Sequence, residues 1–473
     1  MNNLYLNSYQ LYVLHLFNLE DNDIYSISYN SIKDKNGTAL IDITLVNHPI
    51  PCPNCGFDSP SIKEYVKKGI THSALSDRNC KIIYHARRYK CPVCGRTYYE
   101  KNPFVFNSQK ISIKTIFNIL EDLKDFNETF TSVAKRHNVS PTSTASIFDA
   151  HVDIPRKPLP THICVDEVFA FKSKESKYVC VILDYKTHEV IDVLPSRHLR
   201  YLSDYFYKIP LEERENVEFI SYDMWSPYKR IGKTFLPKSL GVVDHYHVIQ
   251  DLHRRLDKIR INVMKSFRKG TDGYYLLKKF NWMIFKNNDS DLFDPNAKRK
   301  LNHQFKTELN YHDIYLKLRD VHPRLAAAWA LRDDVVDFYK NCTYENAMEN
   351  LLVIIKKFHE CDIEEMRQFG DTLFKWRKEI VNSFIVVAHS YKVDKETGEI
   401  IYSAKKMNNG IIENRNKIIK CVKNNANGYT NWKRFRNRLL YVLNKDATFS
   451  LNPKPKEKKQ NEKKEGGENN ASV

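Results

Sequence analysis

Between residues 160 and 250 the apolar residues come in short β-branched runs. THICVDEVFAFK, KYVCVILDYKT and EVIDVLPSRHL follow one another at hairpin spacing, which predicts three antiparallel strands. LRYLSDYFYKI predicts a helix. VEFISYDMWSPYKR predicts a fourth strand ending at Asp223, and LGVVDHYHVIQDLHRRL a fifth that runs into a helix. Upstream, residues 110–152 read as helices, and residues 1–48 hold the β-like runs YSISYNSI and ALIDITLV around the turn signal KNGT. Downstream, residues 251–405 are mostly helical and basic, with one hairpin-like piece, VDKETGEIIYSA. Residues 406–446 return to helix, with Trp432, Phe435 and Leu439 on one face. From Asn452 the tail has no apolar side chains to bury and is expected to be disordered. No apolar run approaches the roughly 18 residues of a membrane helix.

Charge narrows the range of partners. Against 57 acids the chain carries 75 Lys and Arg, a formal net charge of +18 over 473 residues, and this favours a polyanion. The start, MNNLYLNSYQLYVLHLF, lacks the basic segment and the cleavage site of a secretory signal, so a reducing cytoplasmic setting is expected. In that setting the ten cysteines favour metal over disulfides.

Four of them are patterned. PCPNCG holds Cys52 and Cys55, and KCPVCG holds Cys91 and Cys94. The two-residue spacing lets both thiolates of a knuckle reach one tetrahedral ion, and the following Gly permits the tight turn. Two such knuckles predict a zinc ribbon with one structural Zn²⁺, all four positions filled by protein. Cys80 has no partner at ligand spacing, and the remaining cysteines read as packing residues. Arg87, Arg88 and Lys90 lie on the intervening strand and are expected to be displayed, either to DNA or to solvent.

ETFTSVAKRHNVSPTSTASIFDAHV has the build of a helix-turn-helix. Val133 and Ala134 face inward, Val139 packs in the turn, Ser140 is the N-cap and Pro141 takes the first helical position. Thr142, Ser143 and Ser146 are expected to face outward, where a recognition helix would read DNA; a plain three-helix core is the other reading.

Three strands, a helix, a strand, a helix and a strand is the order of a ribonuclease-H-like core. In that order Asp166, mid-way along the first strand, and Asp223, at the end of the fourth, would converge. A third carboxylate from a later helix would complete a site for two divalent ions about 3.5–4 Å apart. Oxygen ligands suit Mg²⁺ or Mn²⁺. Glu413 supplies it: GIIENRNKIIK has one acid among amides and bases. Taken singly, each acid has a plainer reading: Asp166 as a strand residue, Asp223 as a helix cap, Glu413 as a surface partner of Lys417. Asp244 rivals Asp223 for the second position. Glu167 reads as a hydrogen-bonding neighbour, and His245 and His247 as structural rather than ligating. Arg415, Lys417, Lys433, Arg434 and Arg436 are expected to meet phosphate.

Taken together, CPNCG, CPVCGRTYYE, VAKRHNVSPTST, VDEVFAFK, SYDMWSPYKR, VVDHYHVIQ and NGIIENRNKIIKCVKNNANGYTNWKRFRNRLL resemble the transposases of bacterial insertion sequences of the ISL-three type, over about residues 50 to 445. The resemblance implies a DDE transposase that binds transposon ends and target as double-stranded DNA, acts as a homo-oligomer on DNA, and works on the bacterial nucleoid. It places the triad at Asp166, Asp223 and Glu413. One departure is Gly410, where the family pattern often has Pro before the third carboxylate. The expected fold is α+β and multidomain: residues 1–48 of unassigned role, a zinc ribbon over 49–106, a helix-turn-helix over 107–152, a ribonuclease-H-like core over 153–250 and 406–446 interrupted by a helical insertion over 251–405, and a tail over 447–473. A non-catalytic DNA-binding regulator and a nuclease without strand transfer are the competing readings.

Overall fold

The computed structural model describes residues 23–30, 37–75, 78–106, 109–172, 176–287, 290–393, 398 and 400–451, with isolated positions (11, 14, 15, 17, 19 and 20) before them. The expected disordered tail from Asn452 lies outside the described residues. The fold is mixed α/β, in two compact units. One comprises residues 1–155 and 418–473, the other residues 156–417.

In the first unit, β1 (Ile24–Asn30), β2 (Ala39–Leu45), β3 (Ser61–Leu75), β4 (Arg78–Lys90) and β5 (Thr97–Tyr99) form one sheet. Its order is β1-β2-β4-β3, with β5 paired to β4. β3 and β4 are antiparallel, and β2 adds to β4 in parallel, Ile41 opposite Ile82. The residues left unassigned by sequence thus extend the cysteine-bearing hairpin into a sheet, and Ile41, Ile43, Ile70, Ile82, Tyr84 and Phe104 fill its core.

Three helices follow: α1 (Ile113–Asp122), α2 (Phe130–Arg136) and α3 (Pro141–His151). Ser140 caps α3 by accepting from the Ser143 N–H, with Pro141 in the first turn as expected. Val133, Ala134, Ala145, Ile147 and Phe148 are buried, and Asn138 makes the turn at φ 52°.

The second unit is built on a sheet of β6 (His162–Phe169), β7 (Tyr178–Asp184), β8 (Val190–Leu194), β9 (Phe219–Tyr222) and β10 (Leu240–Val243), in the order β10-β9-β6-β7-β8. β6, β7 and β8 are the antiparallel meander that the three apolar runs predicted. β9 lies parallel to β6, and β10 parallel to β9. Gly241 on β10 lies against the Tyr222 hydroxyl, where a Cβ would collide.

Between the strands run α4 (Leu199–Tyr207), α5 (Leu211–Glu215) and α6 (Ser226–Phe235), and after β10 comes α7 (His245–Ser266). Next come α8 (Asp272–Lys279), a short hairpin of β11 (Lys300–Asn302) and β12 (Thr307–Leu309), then α9 (Tyr311–Arg319), α10 (Pro323–Asn341), α11 (Tyr344–Glu360) and α12 (Glu364–Asn382). One buried apolar cluster runs from Leu159 under the sheet to Phe384 at the end of these helices, so the helices and the sheet share a core. The antiparallel pair β13 (Val386–Val393) and β14 (Ile400–Lys406) leads into α13 (Gly410–Asn425), which crosses the boundary between the units.

The last helix, α14 (Trp432–Leu443), belongs to the first unit, where Tyr441 donates to the Leu120 carbonyl at 3.0 Å and Asn437 to that of Val152 at 3.0 Å. Among the described residues, no helix is long and apolar enough to cross a membrane.

Candidate active site and metal centre

The two knuckles repeat one geometry. Gly56 N–H returns to Cys52 O at 2.8 Å, and Gly95 N–H to Cys91 O at 3.0 Å. Both glycines sit at positive φ, 72° and 70°, in the left-handed region that Gly enters without a Cβ clash. Antiparallel β3 and β4 bring the knuckles together. Cys52 Sγ stands 3.5 Å from Cys94 Sγ, and Cys55 Sγ 3.5 Å from Cys91 Sγ. A tetrahedron with Zn–S of about 2.3 Å has edges of about 3.8 Å, so the four sulfurs already have the size of a zinc cage. The backbone N–H of Arg96 holds the Cys94 thiol down, to about 6, toward the thiolate a metal needs. Among the described residues, this is the one group of three or more potential ligands whose atoms all lie within 4.8 Å of each other.

The residues expected to touch DNA divide. Thr142 and Ser146 on α3 and Lys433 on α14 are exposed, and Ser143 is half-buried with its hydroxyl 2.8 Å from that of Ser140. Arg87, by contrast, is not displayed. It is 2% exposed, pairs with Glu100 at 3.0 Å and donates to the carbonyls of Leu45 and Val46. The carbonyls at the end of β2 need donors, and once the N-terminal strands have joined β4 the Arg87 guanidinium supplies them. Arg88 is half-buried, bonded to Glu64 and stacked near Tyr99. Arg434 forks onto Asp149 of α3, and Arg436 donates to the Ile154 carbonyl at 2.9 Å. These last two hold α14 in its unit. Arg438 of α14 is fully buried and donates to the carbonyls of Asp125 and Glu128.

The carboxylates gather in the second unit. Asp166 lies mid-way along β6, and Asp223 follows the last residue of β9, the strand parallel to it. Glu413 is half-buried in the first turn of α13, and Asn416, one turn on, donates to Asp166 Oδ2 at 2.8 Å. Burial pushes the Asp166 carboxyl up to about 7, and repulsion from Glu167 and Glu413 adds to this. Burial, with repulsion from Glu167 and Asp166, likewise raises Asp223 to about 7. Repulsion thus links Asp166 to Glu413 and Asp223 to Asp166, and a cation would relieve it. Among the described residues, the oxygens of these acids do not form a group lying within 4.8 Å of one another as the four cysteines do. All donors are oxygen, which suits a hard divalent cation. Beside Asp223 a cavity of about 370 Å³ is lined by Asp251 and its ion-pair partner Arg254 (3.4 Å), and by His247, Gln250, Thr372 and Lys375.

Neighbouring groups fix these acids, and most were not singled out by sequence. Glu167 points away from Asp166 across the strand, accepting from Arg197 and, at 3.0 Å, from the Tyr228 hydroxyl. Arg197 is clamped between the rings of Tyr178 and Trp225, at 4.5 and 4.7 Å from their centroids. Asp244, the rival for the second position, is spent on structure. It caps α7 through the Tyr246 N–H at 3.0 Å, sits 3.2 Å from His245 Nδ1 and accepts from the Asn409 N–H at 2.7 Å. Those donors hold its carboxyl below the usual range despite its burial. Asn409 is fully buried and accepts from Ser221 Oγ at 2.6 Å, which pins the start of α13 to β9. Arg415 donates to the His188 carbonyl at 2.8 and 3.1 Å, whereas Lys417 is exposed. Nothing in the run of amides around Glu413 marks Asn409 and Asn416 as the anchoring pair. Their helical spacing to Glu413 is the signal that could have found them.

Residues 163–391 match the family model described as Transposase, of the ISL3 type of DDE enzymes. That span holds Asp166 and Asp223 and stops before Glu413. The resemblance carried by the motifs is thus shown across it, and this part of the chain is that of an ISL3-type transposase, a family of DNA-processing enzymes that use divalent metal. A search of curated proteins gives no match.

Proposed function

We propose that the chain is a DNA transposase that binds the ends of its insertion sequence, cuts DNA with Mg²⁺ or Mn²⁺ and joins the cut ends to a target. The observation that carries this reading is the electrostatic meeting of Asp166, Asp223 and Glu413, two of them inside the transposase match. The strand order β10-β9-β6-β7-β8, with β7 alone reversed and the other four strands running the same way, supports describing the sheet as ribonuclease-H-like. The four-cysteine cage supports a zinc ribbon, and the outward Thr142 and Ser146 support a helix-turn-helix that reads the ends in a cytoplasmic, nucleoid-bound oligomer.

Asp166, Asp223 and Glu413 would hold two ions. When bound, these supply the positive charge that activates a water or a 3′-hydroxyl and steadies the leaving oxygen. The protein does the rest. Asn416 orients Asp166, and Arg197 with Tyr228 keeps Glu167 out of the ligand set. With both aspartates near 7, protons compete with metal, so cleavage should rise with pH through the neutral range. Arg254 and Lys375 beside Asp223 would receive the phosphate backbone.

The test is cleavage and joining of a labelled DNA carrying the element's ends, with Mg²⁺, for wild type and Glu413→Gln. The reading expects nicked and joined products from wild type, a loss of at least about 100-fold in the variant, and equal DNA binding by both. Cleavage without joining would leave a nuclease. Binding without cleavage would leave a regulator, and equal cleavage by both proteins would remove Glu413 from the site.

A further inference from the structure

A cavity of about 650 Å³ opens beside the first turn of α13, within the second unit. Its rim is cationic. Lys186 and His188 come from the turn between β7 and β8, His245 from the start of α7, and Lys405 from β14. Lys186, His188, His245 and Lys405 are exposed, and no carboxylate is among the described residues that line the cavity. The inner wall is aromatic: the rings of Tyr339 and Phe384 stack with 5.7 Å between centroids and 6° between planes, and Lys406, also in the lining, holds its ammonium 4.6 Å over the Phe384 ring. The volume is that of a small-molecule pocket, about 300–1,000 Å³. Cations at the mouth and rings within are the chemistry of a nucleotide, whose phosphate takes the charge and whose sugar and base take the apolar wall.

The cavity is mechanically joined to the carboxylates. Asn408 and Ile411 line it, and Glu413 lies two residues beyond Ile411 on the same helix, about 3 Å further along its axis. From the β7–β8 turn, His188 holds φ 64°, in the left-handed region, and its carbonyl receives both hydrogen bonds from Arg415. Whatever enters the cavity therefore lies against the segment that carries the third acid.

We propose that this cavity binds one nucleotide of a single DNA strand leaving the carboxylates, with Lys186 and Lys405 on its phosphates and the Tyr339–Phe384 wall under its sugar or base. The proposal rests on the transposase reading for bringing DNA to the acids, but its binding claim needs no cleavage. It distinguishes strand from duplex, because an unpaired nucleotide can enter a cavity of this size through its mouth and a stacked base pair cannot.

The experiment is fluorescence anisotropy with the full chain in Mg²⁺-free buffer, using a labelled single-stranded oligonucleotide and the matching duplex over a range of salt. Wild type is compared with Lys186→Ala/Lys405→Ala, whose exposed side chains should leave the melting temperature unchanged. For the single strand, losing two phosphate contacts should make the slope of log affinity against log salt shallower by about 1.4, with affinity lowered about tenfold at low salt. Duplex binding should change less than twofold. An unchanged slope, an equal loss on duplex and strand, or no single-strand binding by wild type would each overturn the proposal. If wild type binds the strand through these lysines but never cleaves, the transposase reading fails and the cavity assignment stands. If wild type cleaves and the double variant keeps the wild-type slope, the reverse holds.

Discussion

Replacing Asp166 by Asn should stabilise the metal-free protein at alkaline pH while abolishing catalysis. Asp166 is 9% exposed and its pKa is raised from 3.8 to about 7. A carboxyl raised on folding binds protons more tightly folded than unfolded. Its contribution to stability is therefore complete below the unfolded value near 4 and is lost as pH rises through about 7. Three units at about 1.36 kcal/mol each set a ceiling of about 4 kcal/mol at pH 8. Relaxation around the charge lowers the expected cost to about 2 kcal/mol. Asn removes that cost and still finds partners. Its carbonyl can accept from the Glu167 N–H, and its NH₂ can donate to Asn416 Oδ1, a buried acceptor without a partner, once that amide turns over. Melts at pH 8 and pH 5.5, with and without Mg²⁺, provide the assay. The variant should melt about 4 °C above wild type at pH 8 without metal, the gain should be about half as large at pH 5.5, where the unfolded carboxyl is already ionised and the folded one is still protonated, and Mg²⁺ should stabilise wild type alone. A variant less stable than wild type at pH 8, a gain independent of pH, or an unchanged response to Mg²⁺ would refute the reasoning.

Two further outcomes follow from the first unit. Purified protein should carry one zinc per chain by atomic absorption, and Cys91→Ser should lose it and yield a chain cleaved by protease within the first unit, because the cage joins both ends of the β3–β4 hairpin. Arg87→Ala should cost about 3–5 kcal/mol by leaving Glu100 buried and unpaired, so denaturant melts should fall while the salt slope of DNA binding in the folded fraction stays as in wild type. A fall in that slope without loss of stability would restore Arg87 to the DNA face.

The second unit's sheet was legible in the sequence because each of its strands is a β-branched run with its own turn signals, so the local pattern and the final pairing agree. The knuckles were legible for the same reason: a C-P-x-C-G turn is decided within six residues. What the sequence hid is nonlocal. β2 joins β4 in parallel, α14 returns to pack on α3, and neither pairing has a turn to announce it. The hidden pairings also explain why charged residues misled. Arg87, Arg434 and Arg438 look like a surface in one dimension, and each became a donor to backbone or carboxylate only where a distant segment arrived. At the carboxylates the acids stood out by isolation, Glu413 most of all. Their supports, Asn409 and Asn416, were concealed among other amides.

Asp244 shows how much of the site rests on such supports. It touches no other acid of the proposed triad, yet its two oxygens face the Tyr246 and Asn409 N–H groups, joining the cap of α7 to the start of α13. Glu413 lies one helical turn beyond Asn409, its own N–H bonded to the Asn409 carbonyl at 3.2 Å. In Asp244→Asn one oxygen becomes an NH₂ that must face one of those two donors, so one hydrogen bond is exchanged for a donor–donor clash, worth about 1–3 kcal/mol. The cheapest relief is a shift of the α13 start, and a shift of about 1 Å can cost about 100-fold in rate. Asp244 acts here as a positioning residue, so the variant should show a lower cleavage rate and a raised Mg²⁺ requirement while metal binding at saturating Mg²⁺ survives. Asp244→Ser, which still accepts from Tyr246, should recover the cap and the fold without recovering the Mg²⁺ requirement. If Asp244→Asn instead removes metal binding outright as a triad substitution would, then Asp244 is itself a ligand and Asp223 has been given its place.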